Sequence, residues 1–89
     1  MFIVDPDPAN DMLRFYYYLS QSSLVKLEIL SINGRQAALL DHGFQKSGDH
    51  ILLWSPNLLD DGIYLVRFSV GDECATYNLS VIKQENITQ

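Results

Sequence analysis

Apolar residues in this chain recur at every second position, in short runs separated by turn chemistry. Leu13, Phe15, Tyr17 and Leu19 alternate with Arg14, Tyr16 and Tyr18, and Val25, Leu27 and Ile29 alternate with Lys26 and Glu28. A period of two belongs to a strand with one face buried and the other solvated. Asn33-Gly34 predicts a type I′ hairpin turn, because both residue types tolerate positive φ. Ala37 and Leu39 begin the return strand. His42 to Asp49 reads as a loop containing two glycines. Beyond it, His50, Leu52 and Trp54 share one face and Ile51 and Leu53 the other. Apolar residues on both faces predict a central strand. Ser55 to Gly62 is a connection, with Leu58 and Leu59 expected to plug the end of the fold. Tyr64, Val66 and Phe68 face one way in the next strand. Gly71-Asp72 turns the chain, and residues 74–82 form the last strand.

No segment carries an apolar period of 3.6 residues. Short strands at near-regular spacing, with turn residues between them, predict an all-β fold: an immunoglobulin-like antiparallel β-sandwich of about seven strands. Antibody-type domains add a Cys–Trp–Cys pattern. This chain has Trp54 without the cysteines, so its core must close by packing alone. Trp54 is expected to be a core anchor, and Tyr17 a core residue. Pro6 and Pro8 favour extended or turn backbone before them. Residues 1–11 are therefore expected to be a linker, residues 12–83 the sandwich domain, and residues 84–89 a polar tail.

Composition narrows the functional classes. The chain has 89 residues, enough for one domain, and carries 11 acidic against 6 basic side chains for a net charge of −5. Lys and Arg are not clustered, which argues against nucleic acid and against an anionic membrane surface. No run approaches the length of a transmembrane helix. The start, Met1 to Asn10, has no basic region and only a short apolar run, unlike a signal peptide. Cys74 is the only cysteine. No internal disulfide can form, and Cys74 is expected to be a small, partly buried strand residue.

Candidate chemistry is sparse. His42 and His50 have no cysteine or carboxylate at metal-ligand spacing. Asp5, Asp7, Asn10 and Asp11 resemble a thin calcium loop, but prolines interrupt them and the EF-hand glycine and distal glutamate are missing. Asp60-Asp61 before Gly62 reads as a turn. No nucleophile elbow or phosphate-binding glycine loop occurs. Tyr16 and Tyr18 share a strand face and could form an aromatic patch for a sugar. Asn78-Leu79-Ser80 and Asn86-Ile87-Thr88 match the N-glycosylation pattern. These observations assign no catalytic, cofactor or metal site and predict a protein that is not an enzyme.

The ordered features from Asp7 to Lys83 resemble the C-terminal sorting domain of the type IX secretion system of Bacteroidetes, a relative of the Ig-like domain of flagellar hook-capping proteins. That family opens on a Pro-containing segment and an alternating I-x-Y-x-L, here Phe15, Tyr17 and Leu19 within DPANDMLRFYYYL. Its V-x-L-x-V-Y-D-x-x-G-R appears as VKLEILSINGR, with Ser31 at the usual Asp. A glycine-containing turn leads to a Trp in SGDHILLW, followed by Ser55 where Asp or Asn is usual. L-x-x-G-[IV]-Y appears in LLDDGIYLVRF, and a last strand closing on Lys appears as ATYNLSVIK, with Asn78 at a commonly basic position. The turn positions of the pattern are Gly34 and Gly62. Its inward positions are Phe15, Tyr17, Leu27, Ile29, Trp54, Tyr64 and Val66.

The resemblance implies a non-catalytic module without cofactor that directs a covalently attached upstream cargo across the outer membrane, for secretion or cell-surface attachment. The implied partners are the secretion translocon, met in the periplasm, and a sortase-like peptidase cutting in or before Val4 to Asp11. Met1 would then mark the start of a fragment. Recognition is expected on the terminal strand, Glu73 to Lys83, through Ala75, Tyr77, Asn78, Leu79, Val81 and Lys83. An edge strand there would offer unpaired backbone groups. Two other readings stay open: a structural Ig-like spacer or assembly module, and a carbohydrate-binding module using Tyr16 and Tyr18.

Overall fold

The computed structural model describes residues 2–7 and 12–82. Seven strands form: β1 (Phe2–Asp7), β2 (Met12–Leu19), β3 (Ser23–Ser31), β4 (Gln36–Gln45), β5 (Gly48–Trp54), β6 (Gly62–Val70) and β7 (Glu73–Val81). They make two antiparallel sheets, ordered β1-β2-β5 and β4-β3-β6-β7. This is the all-β, Ig-like sandwich that the alternation predicts. The constant-type immunoglobulin arrangement pairs its fourth strand with the fifth. Here β4 pairs with β3 instead, so it joins the sheet of β3, β6 and β7 rather than that of β1, β2 and β5.

The inward faces of both sheets supply the core. Phe15, Leu27, Ile29, Leu59, Val66 and Val81 form one buried cluster, and Tyr17, Leu19 and Val25 a second; Phe2 and Phe68 pack against both. Tyr17 stands in the core as expected, although it carries a hydroxyl. That hydroxyl donates to Asp41 Oδ2 at 3.4 Å, and the Tyr17 ring stacks on His50 at 5.0 Å. Burial first, then the Asp41 charge and hydrogen bond, push the phenol pKa up to about 12. Tyr17 therefore stays neutral at any physiological pH.

Several expectations require correction. Phe2–Asp7, expected within a linker, forms β1 and pairs with β2 from Phe2↔Tyr17 to Asp7↔Met12. Pro6 is tolerated because β1 is an edge strand, where a missing N–H breaks no ladder. His42 to Gln45, expected in a loop, continues β4, so only Lys46-Ser47 separate β4 from β5. The glycines misled: Gly43 lies within β4, opposite Val25, and Gly48 opens β5 at φ 115°. β5 is an edge rather than a central strand, with Ile51 and Leu53 exposed. Trp54, at its end, is half-buried against Phe15 at 6.4 Å, so it rims the core rather than anchoring it. Leu59 is in the core, but Leu58 is 98% exposed and plugs nothing. Cys74 is exposed, because it lies on the outward face of an edge strand.

The β3–β4 hairpin also departs from its expected form. Gly34 N donates to the Ser31 carbonyl at 2.9 Å, and Ser31 N to the Arg35 carbonyl at 2.7 Å. The loop thus holds Ile32, Asn33 and Gly34, with Gly34 at φ 90°. This is the three-residue hairpin loop with glycine in the left-handed position, not the two-residue type I′ turn. The Ser31 hydroxyl, where the family pattern has Asp, donates to Asn33 Oδ1 and accepts from Arg35 N. Register shifts between Leu27/Glu28 and Ile29/Leu30 then place Ala38 and Leu40 against the core. Ala37 and Leu39, near the start of the return strand, face solvent. Four successive apolar residues, Ala37 to Leu40, give alternation nothing to choose between, and the bulges decide.

The corner between β5 and β6 is closed locally. Ser55 caps a single 3₁₀ turn, Pro56–Leu58, by accepting from Asn57 N at 3.3 Å. Tyr64, near the start of β6, donates its hydroxyl to the Asp60 carbonyl at 2.7 Å. A tyrosine bonding back to the upstream backbone at this corner is the tyrosine corner of Ig-like sandwiches. It gives the L-x-x-G-I-Y stretch a physical role.

A candidate recognition edge at β7

β7 is the outer strand of the four-stranded sheet, paired with β6 on one side only, from Gly62↔Val81 to Val70↔Glu73. Every second backbone N–H and C=O of an edge strand points away from its sheet and is open to another chain. The strand forms here because β6 supplies a mostly apolar partner strand and Gly71, at φ 58°, makes the tight return. Gly71 N also donates to the Leu24 carbonyl at 2.8 Å, which ties the turn to the start of β3.

The expected recognition residues divide by face. Ala75, Tyr77, Leu79 and Val81 point inward, and Asn78 outward with Cys74, Thr76 and Ser80. Val81 is buried and belongs to the core; Ala75 and Leu79 are half-buried; Tyr77 and Asn78 are exposed. Lys83 lies outside the described residues. The side chains on offer along β7 are thus Tyr77 and Asn78, with the small outward residues around them.

The structure adds residues that the sequence reading did not assemble. A groove of about 1000 Å³ opens beside β7 and the β6–β7 turn, lined among others by Phe2, Tyr18, Phe68, Asp72, Glu73 and Tyr77. Phe2 lies between two rings, 4.6 Å from Phe68 and 5.1 Å from Tyr77. β1 therefore reaches across the gap between the sheets with one aromatic side chain. The signal available for Phe68 was its alternation with Tyr64 and Val66. Phe2 gave none, because its apolar run is short and stands before two prolines.

The other candidates are placed as follows. Tyr16 and Tyr18 do share the outer face of the three-stranded sheet, but Tyr16 is half-buried and donates to Asp49 Oδ1 at 2.6 Å. That bond, with desolvation and the Asp49 charge, raises the Tyr16 pKa. Ile3, Tyr16 and Ile51 lie side by side across the three strands. Asp5 pairs with Arg14 at 3.3 Å, and Asn10 and Asp11 lie outside the described residues. His50 Nε2 donates to the Lys46 carbonyl at 2.6 Å, and His42 lies exposed in β4. Among the described residues, no group of three His, Cys, Asp or Glu side chains is arranged to hold a metal ion, and no helix is long and apolar enough to cross a membrane.

The sole buried ionic group lies on the outer face of the four-stranded sheet, among the described residues. Glu28 is 2% exposed. Its Oε2 accepts from Arg67 Nε at 2.9 Å and lies 3.7 Å from Lys26 Nζ; its Oε1 accepts from Gln36 Nε2 at 3.0 Å. Desolvation pushes its pKa up, but the hydrogen bonds from Gln36 and Arg67 and the charges of Arg67 and Lys26 outweigh it, and the net shift is downward. Each polar atom is satisfied, so the cluster is a structural clamp joining β4, β3 and β6.

No protein-family model matches this chain, and no curated protein matches it in a sequence search.

Proposed function

We propose that this domain is a non-catalytic sorting and recognition module that directs an attached cargo protein across the outer membrane, for secretion or cell-surface attachment. The observation that carries the reading is β7: the last described strand, open along one side, with exposed Tyr77 and Asn78 and a groove beside it. The resemblance to the type IX sorting domain supplies the biological setting. Translocon and sortase-like peptidase are the corresponding partners, and the route runs through the periplasm to the surface or medium. Seven strands in two sheets, the tyrosine corner at Tyr64 and inward Phe15, Tyr17, Leu27 and Ile29 are compatible with that family's pattern.

The test is an export assay. Residues 1–89 are fused behind a reporter bearing a signal peptide, in a bacterium with a type IX system and in a translocon-deficient strain. Reporter outside the cell only in the competent strain is the expected result. A folded fusion held in the periplasm of both strains rejects the proposal. It would favour a structural Ig-like module, the reading supported by the exposed Leu24–Phe44 cross-strand pair and by Ile51 and Leu53.

A further inference from the structure

Three features meet at the β6–β7 end of the molecule. Among the described residues, β7 has an unpaired edge. The groove beside it presents a row of stacked rings, Phe68, Phe2 and Tyr77. Among the described residues its lining includes Asp72 and Glu73 and no Lys or Arg. We propose that this groove receives an extended, Lys- or Arg-bearing segment of a partner protein, which adds to β7 as a further strand. The inference deepens the recognition reading above and rests on it.

Each part of the proposed ligand follows from one of the three features. An open edge is satisfied by extended backbone, which supplies affinity independent of sequence. Side chains of an added strand alternate between the two faces, so every second residue turns toward the ring row and wants to be apolar. The remaining positions near the turn meet two carboxylates with no basic neighbour among the described lining residues. A cation there gains attraction, and the same field steers the approach of a basic segment. A second copy of this chain fits poorly. Its own β7, Glu73–Val81, contains no Lys or Arg, so β7-to-β7 pairing would leave both carboxylates uncompensated. The net charge of −5 also opposes self-association.

The test is binding of a fluorescein-labelled octapeptide, Lys-Val-Lys-Tyr-Thr-Val-Lys-Val, to the purified chain by anisotropy at low salt. Two control peptides carry Glu in place of Lys, or N-methyl groups on alternate amides. Both should bind at least about tenfold more weakly than the Lys peptide, since one loses charge complementarity and the other the backbone ladder. The D72K/E73K variant should lose about tenfold for the Lys peptide and come to prefer the Glu peptide. The D49K/D60K variant makes the same charge change away from the groove and should stay within about threefold. Amide shifts on titration should cluster at Gly71 to Tyr77 and at Phe2.

Equal binding of the three peptides overturns the proposal. So do equal losses from the two double variants, or concentration-dependent dimerisation through β7. A chain that exports its reporter but does not discriminate the peptides keeps the sorting function and loses this inference. A chain that captures the Lys peptide at β7 but exports nothing loses the sorting function alone.

Discussion

β3 and β7 are each nine residues long and belong to the same sheet, yet they live in different environments. β3 lies between β4 and β6, and from Val25 to Leu30 only Lys26 escapes full burial. β7 has one neighbour, and only Val81 among its residues is buried. Their sequences differ far less than this: both alternate apolar with polar residues. The contrast comes from position in the sheet. A central strand is flanked on both sides, and an outward residue there can be covered by long side chains from its neighbours, as Arg67 and Gln36 cover Glu28. An edge strand has no such cover, and its outward residues remain in water. The central strand is thus free to specialise in holding the fold, and the edge strand in meeting a partner.

The comparison can be broken most strongly in the core. Ile29→Ala should destabilise the domain by about 2–5 kcal/mol, through lost apolar transfer and a residual cavity between the sheets. Leu79→Ala, on half-buried β7, should cost no more than about 1–2 kcal/mol. Urea denaturation of both variants decides it, and equal losses would mean that β7 is as deeply integrated as β3.

Glu28 sharpens the comparison at intermediate magnitude. Glu28→Gln should cost about 1–2 kcal/mol at pH 7, less than a fully enclosed ion pair because Arg67 and Lys26 remain partly in water. Folding lowers the Glu28 pKa. A group held below its unfolded value stabilises the fold above that unfolded value, and loses its contribution as pH falls through the ordinary glutamate range, about 4–4.5, toward the folded pKa. The wild-type stability should therefore decline more steeply below about pH 4.5 than that of Glu28→Gln. Urea midpoints at a series of pH values measure it, and parallel acid limbs would remove Glu28 from the acid response.

The smallest effect belongs to Cys74. On the exposed outward face of β7, Cys74→Ser should change stability by under about 0.5 kcal/mol. The native thiol should react with an alkylating reagent in the folded domain without prior unfolding. Protection of the thiol that is lifted only by denaturant would show that something covers this edge.

How much was readable in advance follows the same division. Phe15, Tyr17, Leu27, Ile29 and Val66 were legible as inward residues because alternation in β2, β3 and β6 is unambiguous. Trp54, Leu58 and Cys74 lie farther from the core than expected, because hydrophobicity states a preference and not a location. β5 looked central because its apolar residues lie on both faces, yet no strand covers Ile51 and Leu53. The residues placed on β7 were correctly expected to lie in the last strand. The groove beside it was not legible, since its walls come from Phe2, Phe68 and Tyr77, which are distant in sequence.

The chain by itself determined the all-β sandwich and most of the core, because period-two patterning is a local property of the backbone. Only the tertiary structure decided which strands are edges, where β4 bulges, why Glu28 can be buried, and which rings and carboxylates stand beside β7. Those are outcomes of pairing between distant segments, and a one-dimensional pattern constrains the face a side chain takes but not the neighbour it meets there.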